Sequence, residues 1–381
     1  MIRARVKPEL LRWARQRAGM DADKLARRFP KYHEWESGVA VPTLKQVEKL
    51  ANVIHAPVGY FFLTRPPHEG LPIPDLRTVG SLPVREPSPN LLSTIYLCQQ
   101  RQEWYREYAR TEGEAPMPFI GSETMASEIE RVASRMRDAL AFEPPRQAAF
   151  PTWTEALRGL IDAADSLGVL VMVNGVVGNN THRGLDPDEF RGFALVDDLA
   201  PLVFINGADT KAAQIFTLAH ELAHLWLGES ALSDSAPNAV PSHGVEAWCN
   251  RVAAEFLVPL RILRNEFRAS EDLAVALARL ARRFKVSTLV ILRRIHDMGA
   301  LGDGPFRSAY QAELRRLQAL AATGGGSFFP TLRTRVGRRF GNALVMSTLG
   351  GRTSFTVSYR LLGIKTTGAL QDFAASLGIE A

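Results

Sequence analysis

Cysteine is almost absent from this sequence, with Cys98 and Cys249 the only two among 381 residues. Two cysteines cannot build a disulfide framework or a cysteine-rich zinc module. Long apolar runs are also missing: no stretch of about 18 apolar residues occurs, which argues against a membrane-spanning helix. The N-terminal segment lacks the apolar core of a secretion signal. These absences predict a protein of the reducing cytoplasm that makes no contact with a membrane.

Composition and charge narrow the class further. Hydrophobic residues make up 46% and charged residues 23% of the chain, which excludes wholesale disorder. The net charge is +7 over residues 1–65, −7 over 66–300 and +6 over 301–381. A basic end can attract nucleic acid. However, 38 of the 46 basic residues are Arg, and a general preference for Arg over the whole genome would also produce such basic segments. Charge alone therefore does not decide whether the protein binds nucleic acid.

The apolar periodicity predicts an α+β fold that is mostly helical. Short helices predict a small domain over 1–65, seven prolines predict a linker over 66–90, and a helical connector follows over 91–150. Over 151–300, strands near 169–173, 193–196 and 202–206 alternate with helices at 152–167, 210–227 and 245–257. Residues 301–381 combine a helix near 306–322 with strands near 343–347 and 354–358, which predicts an α/β subdomain.

Residues 220–224 read HELAH and match the pattern H-E-x-x-H. In a helix, His220 and His224 lie four residues apart on one face, so both imidazoles can reach one ion. Zn²⁺ takes nitrogen and oxygen ligands and leaves one position for water in catalytic sites. Glu221 would stand beside that water as general base. The alternative is a pair of core histidines, but buried His and Glu are costly without a partner.

A third metal ligand is needed, and Glu246 is the favoured candidate. It lies 22 residues beyond His224, on a second predicted helix that returns across a loop. Asn250, one turn later, shares its face and could orient a ligand by a hydrogen bond. Glu255 is the competing carboxylate. Two further residues are possible ligands, namely His243 and Cys249. The alternative is that His243 is an exposed loop residue and that Cys249 packs in the core.

Roughly residues 150–300 resemble the ImmA/IrrE family of zinc metallopeptidases. The resemblance rests on two strands followed by the H-E-x-x-H helix and then by the pattern E-x-x-x-N-R-x-A-A-E-F-L-V-P over 246–259. The resemblance implies a zincin-like endopeptidase domain over 151–300 that cleaves one specific repressor protein of a phage or stress response, usually encoded nearby. It also implies roles for the site residues. His220, His224 and Glu246 would be zinc ligands and Glu221 the base.

Residues 1–65 resemble an XRE-type helix-turn-helix domain. The residues that carry the resemblance are Leu25-Ala26, Trp35 to Gly38 and Pro42 to Leu44. The chain departs from that pattern because about four residues are missing between Ala26 and Glu36, and Pro30 stands where the recognition helix should begin. Such domains commonly dimerise on paired half-sites, so a homodimer is a possible arrangement. The alternative is a small helical domain that docks a protein.

Several basic and aromatic side chains are candidate contacts to duplex DNA. Arg27 and Arg28 are candidates for phosphate contacts, and Lys31, Tyr32 and His33 for base contacts. The C-terminal run could add phosphate contacts or form a solvated face, and its members are Arg333, Arg335, Arg338 and Arg339.

Two functional hypotheses follow from these patterns. The first is a zinc-dependent, site-specific endopeptidase that regulates transcription or a stress or phage response by cleaving a partner repressor. The second is a DNA-binding regulator, or an antitoxin-like partner of a toxin, in which the zinc fold is a sensor or an interaction surface. The intact Glu221 favours the enzyme, because a scaffold has no chemical need for a base beside two histidines.

Overall fold

The computed structural model describes residues 3–75, 86–233, 244–323 and 331–379. The chain divides into two compact units, one of residues 1–72 with 83–95 and the other of residues 73–82 with 96–381. Part of the linker predicted over 66–90 lies outside the described residues. The domain boundaries given above stay predictions.

The first unit is a small helical bundle around its own apolar core. Asp21 begins the second helix by accepting from the Asp23 N–H at 2.7 Å, and Thr43 begins the fourth through a capping box with Gln46. Its elements are α1 (Pro8–Arg17), α2 (Ala22–Ala26), α3 (Tyr32–Glu36), α4 (Leu44–Ile54) and a short 3-10 helix (Val58–Phe62).

The second unit contains a mixed sheet with the strand order β1-β5-β4-β6. β5 runs parallel to β1 and antiparallel to β4, and β4 also pairs antiparallel with β6. Every residue of β1, β4 and β5 is buried, which is why they read as continuous apolar runs. The three predicted strands are confirmed. The strands are β1 (Leu170–Asn174), β2 (Val176–Val177), β3 (Asn180–Gly184), β4 (Gly192–Leu195), β5 (Leu202–Asn206) and β6 (Ala231–Ser233).

The outer side of β6 meets a segment from the beginning of the second unit. Asp75 forms an isolated parallel bridge with Leu232, and the Leu232 N–H donates to the Pro74 carbonyl at 2.9 Å. The segment around residue 74 therefore lies along the strand that follows the H-E-x-x-H helix.

Helices pack around this sheet. The helix that carries H-E-x-x-H, α9, packs against α8, α10, β4 and β5. Among the described residues, no helix is both long enough and apolar enough to span a membrane. The helices are α5 (Pro89–Glu112), α6 (Ile129–Leu140), α7 (Pro144–Ala149), α8 (Trp153–Leu167), α9 (Lys211–Leu227), α10 (Gly244–Leu257), α11 (Leu260–Glu266), α12 (Leu273–Phe284), α13 (Thr288–Asp297) and α14 (Asp303–Thr323).

The strands predicted near 343–347 and 354–358 are wrong, because both segments are helical. The helices are α15 (Leu332–Val336), α16 (Arg338–Leu349), α17 (Phe355–Leu362) and α18 (Thr367–Leu377). Ser354 starts α17 by accepting from the Val357 N–H at 3.3 Å. Inside α16, the Thr348 hydroxyl donates to the Leu344 carbonyl at 2.6 Å. A short buried apolar run does not distinguish a helix from a strand by periodicity.

The junction between α15 and α16 lies against the sheet at β1. Gly337 there has a φ of +80°, and a Cβ atom on it would stand 2.6 Å from the Val171 carbonyl oxygen. Only glycine permits this conformation and this approach together. The C-terminal helices thereby cover β1, which is the edge strand of the sheet and would otherwise invite pairing with another chain.

A carboxyl group of α8, Asp165, lies near this junction. Burial raises the pKa of Asp165 to about 7, and the neighbouring Asp162 adds to the shift. The Val171 backbone N–H and the guanidinium groups of Arg338 and Arg339 lower the pKa but do not outweigh burial. Asp165 is therefore partly protonated near neutral pH.

We expect Asp165→Asn to remove a pH dependence of stability between about pH 4 and pH 7. The folded chain binds this proton more tightly than the unfolded chain, so the parent's free energy of unfolding falls as pH rises through that window. A shift from 3.8 to about 7 corresponds to at most about 4 kcal/mol. Urea unfolding at several pH values measures it, with Asp372→Asn, which changes an exposed carboxylate near the C-terminus, as control. Equal slopes for the parent and Asp165→Asn would contradict the prediction.

Candidate metal centre

The helix α9 is buried around its whole circumference. Thr210 begins it by accepting from the Ala213 N–H at 3.3 Å, and Gly228 ends it in the left-handed conformation with a φ of +77°. Every residue from Gln214 to Trp226 is buried. Polar side chains on such a helix can only be satisfied by other protein groups or by a bound ion.

A loop before α6 holds the C-terminal end of α9. The Gly121 N–H donates to the Leu225 carbonyl at 3.0 Å, and the Glu123 N–H donates to the Trp226 carbonyl at 3.0 Å. The ring of Phe119 packs on Trp226 with centroids 4.4 Å apart. The last carbonyl groups of a helix have no partner within it, and this loop supplies partners for two of them.

The C-terminal end of α10 is held in a comparable way by buried side chains. Each of three donors from α6, α7 and α13 reaches a carbonyl group at or just after the end of α10, where positive charge is favoured. The pairs are Arg137 to Glu255 (2.9 Å), Gln147 to Leu257 (3.2 Å) and Arg294 to Val258 (3.0 Å). The position of α10 against α9 is thereby fixed from both sides.

The structure brings His220, His224 and Glu246 together. The two Nε2 atoms of the histidines lie 3.1 Å apart. Glu246 places Oε2 at 3.2 Å from His220 Nε2 and Oε1 at 3.1 Å from His224 Nε2. All three residues are at most 1% exposed, so the cluster lies away from bulk water.

This donor set fits a divalent cation such as Zn²⁺. A tetrahedral ion bound at ~2.0–2.1 Å needs ligand atoms about 3.3 Å apart, close to the separations between the histidine nitrogens and the carboxylate oxygens. Two imidazoles and one carboxylate are also a ligand combination found in catalytic zinc sites. Within the described residues, no other group of three His, Cys, Asp or Glu side chains has this spacing.

The pKa shifts in the cluster favour an ionised Glu246 and a neutral His224. Burial acts to raise the pKa of Glu246, but the two imidazoles outweigh it and hold this pKa well below the usual range. Burial lowers the pKa of His224. For His220 burial acts in the same direction, but the attraction of Glu246 raises its pKa overall. Glu246 is therefore a carboxylate that attracts positive charge.

Asn250 holds His220 from the side away from the cluster. Its Oδ1 atom lies 3.1 Å from His220 Nδ1, so a proton on Nδ1 is donated to the amide oxygen. With Nδ1 protonated, Nε2 keeps its lone pair and points towards His224 and Glu246. Asn250 therefore stands where it was predicted to orient a ligand.

Glu221 is fully buried and lies against the start of β4. A Cβ atom on Gly192 would stand 3.1 Å from Glu221 Oε1, 2.6 Å from Thr217 Cγ2 and 2.9 Å from the Phe204 carbonyl oxygen. The absence of a side chain at Gly192 is what leaves room for the Glu221 carboxylate. Nothing in the sequence indicates this contact beyond a glycine directly before a predicted strand.

The competing ligand candidates lie elsewhere or outside the described residues. Glu255 pairs with Arg294 and accepts from the Leu260 N–H at 3.3 Å, so it belongs to the anchor of α10. Cys249 is buried with a free thiol and is not part of the cluster of His220, His224 and Glu246. His243 lies outside the described residues.

In the first unit, the predicted DNA contacts differ in exposure. Arg27, Arg28, Lys31 and His33 are exposed, and His33 lies 3.0 Å from Asp23. Tyr32 is fully buried, and its hydroxyl donates to the Leu11 carbonyl at 3.2 Å. The expectation that Tyr32 reads a base is therefore wrong, because its ring belongs to the core.

Comparison with known families adds to this geometry. Residues 164–296 match the family model Peptidase_M78, described as an IrrE N-terminal-like domain. Residues 336–376 match a domain of unknown function, DUF8813. A search of curated proteins found no match.

The first of these matches covers the whole sheet together with α9 and α10. The cluster of His220, His224 and Glu246 thus lies within the segment that matches the Peptidase_M78 model, which supports a resemblance to the ImmA/IrrE family.

Proposed function

We propose that this chain is a zinc-dependent endopeptidase that cleaves one specific partner protein, a repressor of transcription or of a stress or phage response. One observation carries the proposal: a buried cluster of two imidazoles and a carboxylate, with Glu221 next to the first ligand in sequence. The Peptidase_M78 match over the same residues supports it. The repressor as substrate rests on the resemblance to ImmA/IrrE proteins.

The residues of the cluster would each hold the ion in a defined way. His220 and His224 would bind through Nε2, and Glu246 through its carboxylate, while Asn250 keeps His220 in the required tautomer. A bound zinc ion supplies Lewis-acid polarisation of a peptide carbonyl and lowers the pKa of a water molecule.

Glu221 would do the proton chemistry. Its carboxylate accepts a proton from the attacking water and passes it to the amine of the leaving peptide, as a general base and then a general acid. The narrow space between α9 and Gly192 fixes the side chain, so little conformational freedom is lost during the reaction.

We expect the purified chain to hold about one zinc ion, and His224→Ala to lose it. Asn250→Ala should weaken zinc affinity by about 10- to 100-fold, because His220 loses its orienting acceptor. Asn250→Asp keeps an acceptor oxygen and is the matched control. Competition with a chromogenic chelator measures the affinities. Undiminished zinc content in His224→Ala would place the metal elsewhere.

A second prediction concerns the chemistry rather than the metal. Glu221→Gln should keep zinc but lower the cleavage rate by about 10²- to 10⁴-fold, since it removes the general base. Glu229→Gln, which changes an exposed carboxylate just after the same helix, should cleave like the parent. Cleavage of purified proteins encoded by neighbouring genes, followed by mass spectrometry, is the assay. A Glu221→Gln variant as active as the parent would refute an enzymatic role.

We also propose a second function, binding of duplex DNA by the first unit. The observation that favours it is the exposure of Arg27, Arg28, Lys31 and His33 around the short helix α3. Five residues of helix give little length for base contacts, so phosphate contacts would carry most of the affinity.

For this function, Arg27→Ala/Arg28→Ala in the full chain should weaken binding to a 20-bp duplex. The slope of log affinity against log salt should shrink by about 1.8, since each lost phosphate contact removes about 0.9. Tyr32→Phe is the control, because its hydroxyl is buried and contacts Leu11. Fluorescence anisotropy at several salt concentrations measures both. An unchanged slope in the double variant would assign the first unit to protein docking instead.

A further inference from the structure

The C-terminal helices α15–α18 carry an excess of positive charge. Residues 331–379 contain seven Lys or Arg residues and one acidic residue, Asp372. Two of the seven are neutralised by carboxylates of α5 or of the loop that follows it: Arg339 pairs with Glu114 at 2.8 Å, and Arg352 pairs with Glu112. Of the other five, Arg333, Arg338, Arg360 and Lys365 are exposed.

Asn179, in the turn between β2 and β3, contacts both α15 and the end of α17. Its side-chain amide donates to the Leu362 carbonyl at 3.0 Å and the Gly363 carbonyl at 2.9 Å. Its Oδ1 accepts from Arg335 Nη1 at 3.2 Å. α15 and the end of α17 thus meet at one side chain.

Further basic residues lie close in sequence to these contacts. Arg360 precedes the Leu362–Gly363 pair by two residues, Lys365 follows it by two, and Arg333 precedes Arg335 by two. We call Arg333, Arg335, Arg360 and Lys365 the C-terminal basic cluster. Arg333, Arg360 and Lys365 are exposed, and none of these three forms an ion pair with any residue that the structure describes.

The surface around the cluster is polar. The exposed neighbours carry hydroxyl groups, which commonly contact phosphate, and they are Thr331, Thr334, Thr366 and Thr367. Phe355, an exposed aromatic residue of α17, lies about 140° around that helix from Arg360. A protein interface usually needs a buried apolar or aromatic anchor, and the cluster offers charge and hydroxyl groups instead.

We propose that the C-terminal basic cluster binds the phosphate backbone of a nucleic acid without reading its bases. Arg guanidinium groups suit phosphate oxygens because their donors form a fixed fork. The cluster lies within the segment 336–376 and just around it, so the proposal gives a binding role to a domain whose function is unknown. It depends neither on the peptidase chemistry nor on the first unit.

The test uses the full chain and a fluorescent 20-bp DNA duplex. Arg360→Ala/Lys365→Ala removes two exposed charges and should raise the Kd about tenfold at 0.1 M salt, with the salt slope reduced by about 1.8. Arg261→Ala/Arg264→Ala, two exposed arginines of α11, is the matched control and should bind like the parent. Adding Arg333→Ala and Arg335→Ala should weaken binding further. Unchanged zinc content and thermal unfolding in the first variant exclude a folding defect.

Two results would overturn the proposal. The first is an Arg360→Ala/Lys365→Ala variant that binds DNA with the same affinity and the same salt slope as the parent. The second is tighter binding of polyglutamate than of DNA at equal salt, lost in the same variant, which would identify an acidic protein segment as the partner. A loss of DNA binding in both the cluster variant and Arg27→Ala/Arg28→Ala would support two separate contact surfaces.

Discussion

A carboxylate buried between two imidazoles is the constraint on which the rest of the second unit depends. Glu246 gives up its hydration when it enters the core, and its contacts with the two histidines of α9 offset part of that loss. The side chains come from two helices, so their meeting requires that α9 and α10 be placed to within a fraction of an ångström. The contacts at the ends of both helices serve this placement.

Those contacts come mainly from outside the segment that matches the peptidase family. The loop at 119–123 binds the end of α9, while Arg137 and Gln147, on α6 and α7, bind the end of α10. All of them precede residue 164, where the family match begins. The C-terminal helices cover β1 on the other side of the sheet. The chain therefore builds its site from the matched domain together with structure on both sides of it.

Much of this could be predicted from local sequence. Thr43, Gly168 and Gly228 mark helix ends through capping chemistry that acts within a few residues, and the spacing of His220 and His224 places both on one helix face. Glu246 was chosen over Glu255 by distance along the chain and by the family pattern. The strand predicted near 343–347 was wrong because a short buried apolar run has no periodicity that separates helix from strand. The strand predicted near 354–358 was wrong because the Ser354 side chain begins a helix there.

Contacts between distant segments could not be predicted. Nothing near Arg137 indicates that its partner is the Glu255 carbonyl, 118 residues later. Gly192 looked like an ordinary glycine at the start of a strand, and its closeness to Glu221 emerges only when β4 packs on α9. Tyr32 was misassigned for the same reason, because only the packing of α1 against α3 shows that its ring faces inward.

The bridge between Asp75 and Leu232 has a consequence for what else can join the sheet. One edge, β1, is covered by the C-terminal helices, and the other edge, β6, is already engaged by the chain's own residues near 74. A foreign polypeptide that extends the sheet at β6 must displace this built-in competitor. Because the competitor is tethered, its effective concentration is high, and only a segment with side-chain contacts of its own would win the exchange.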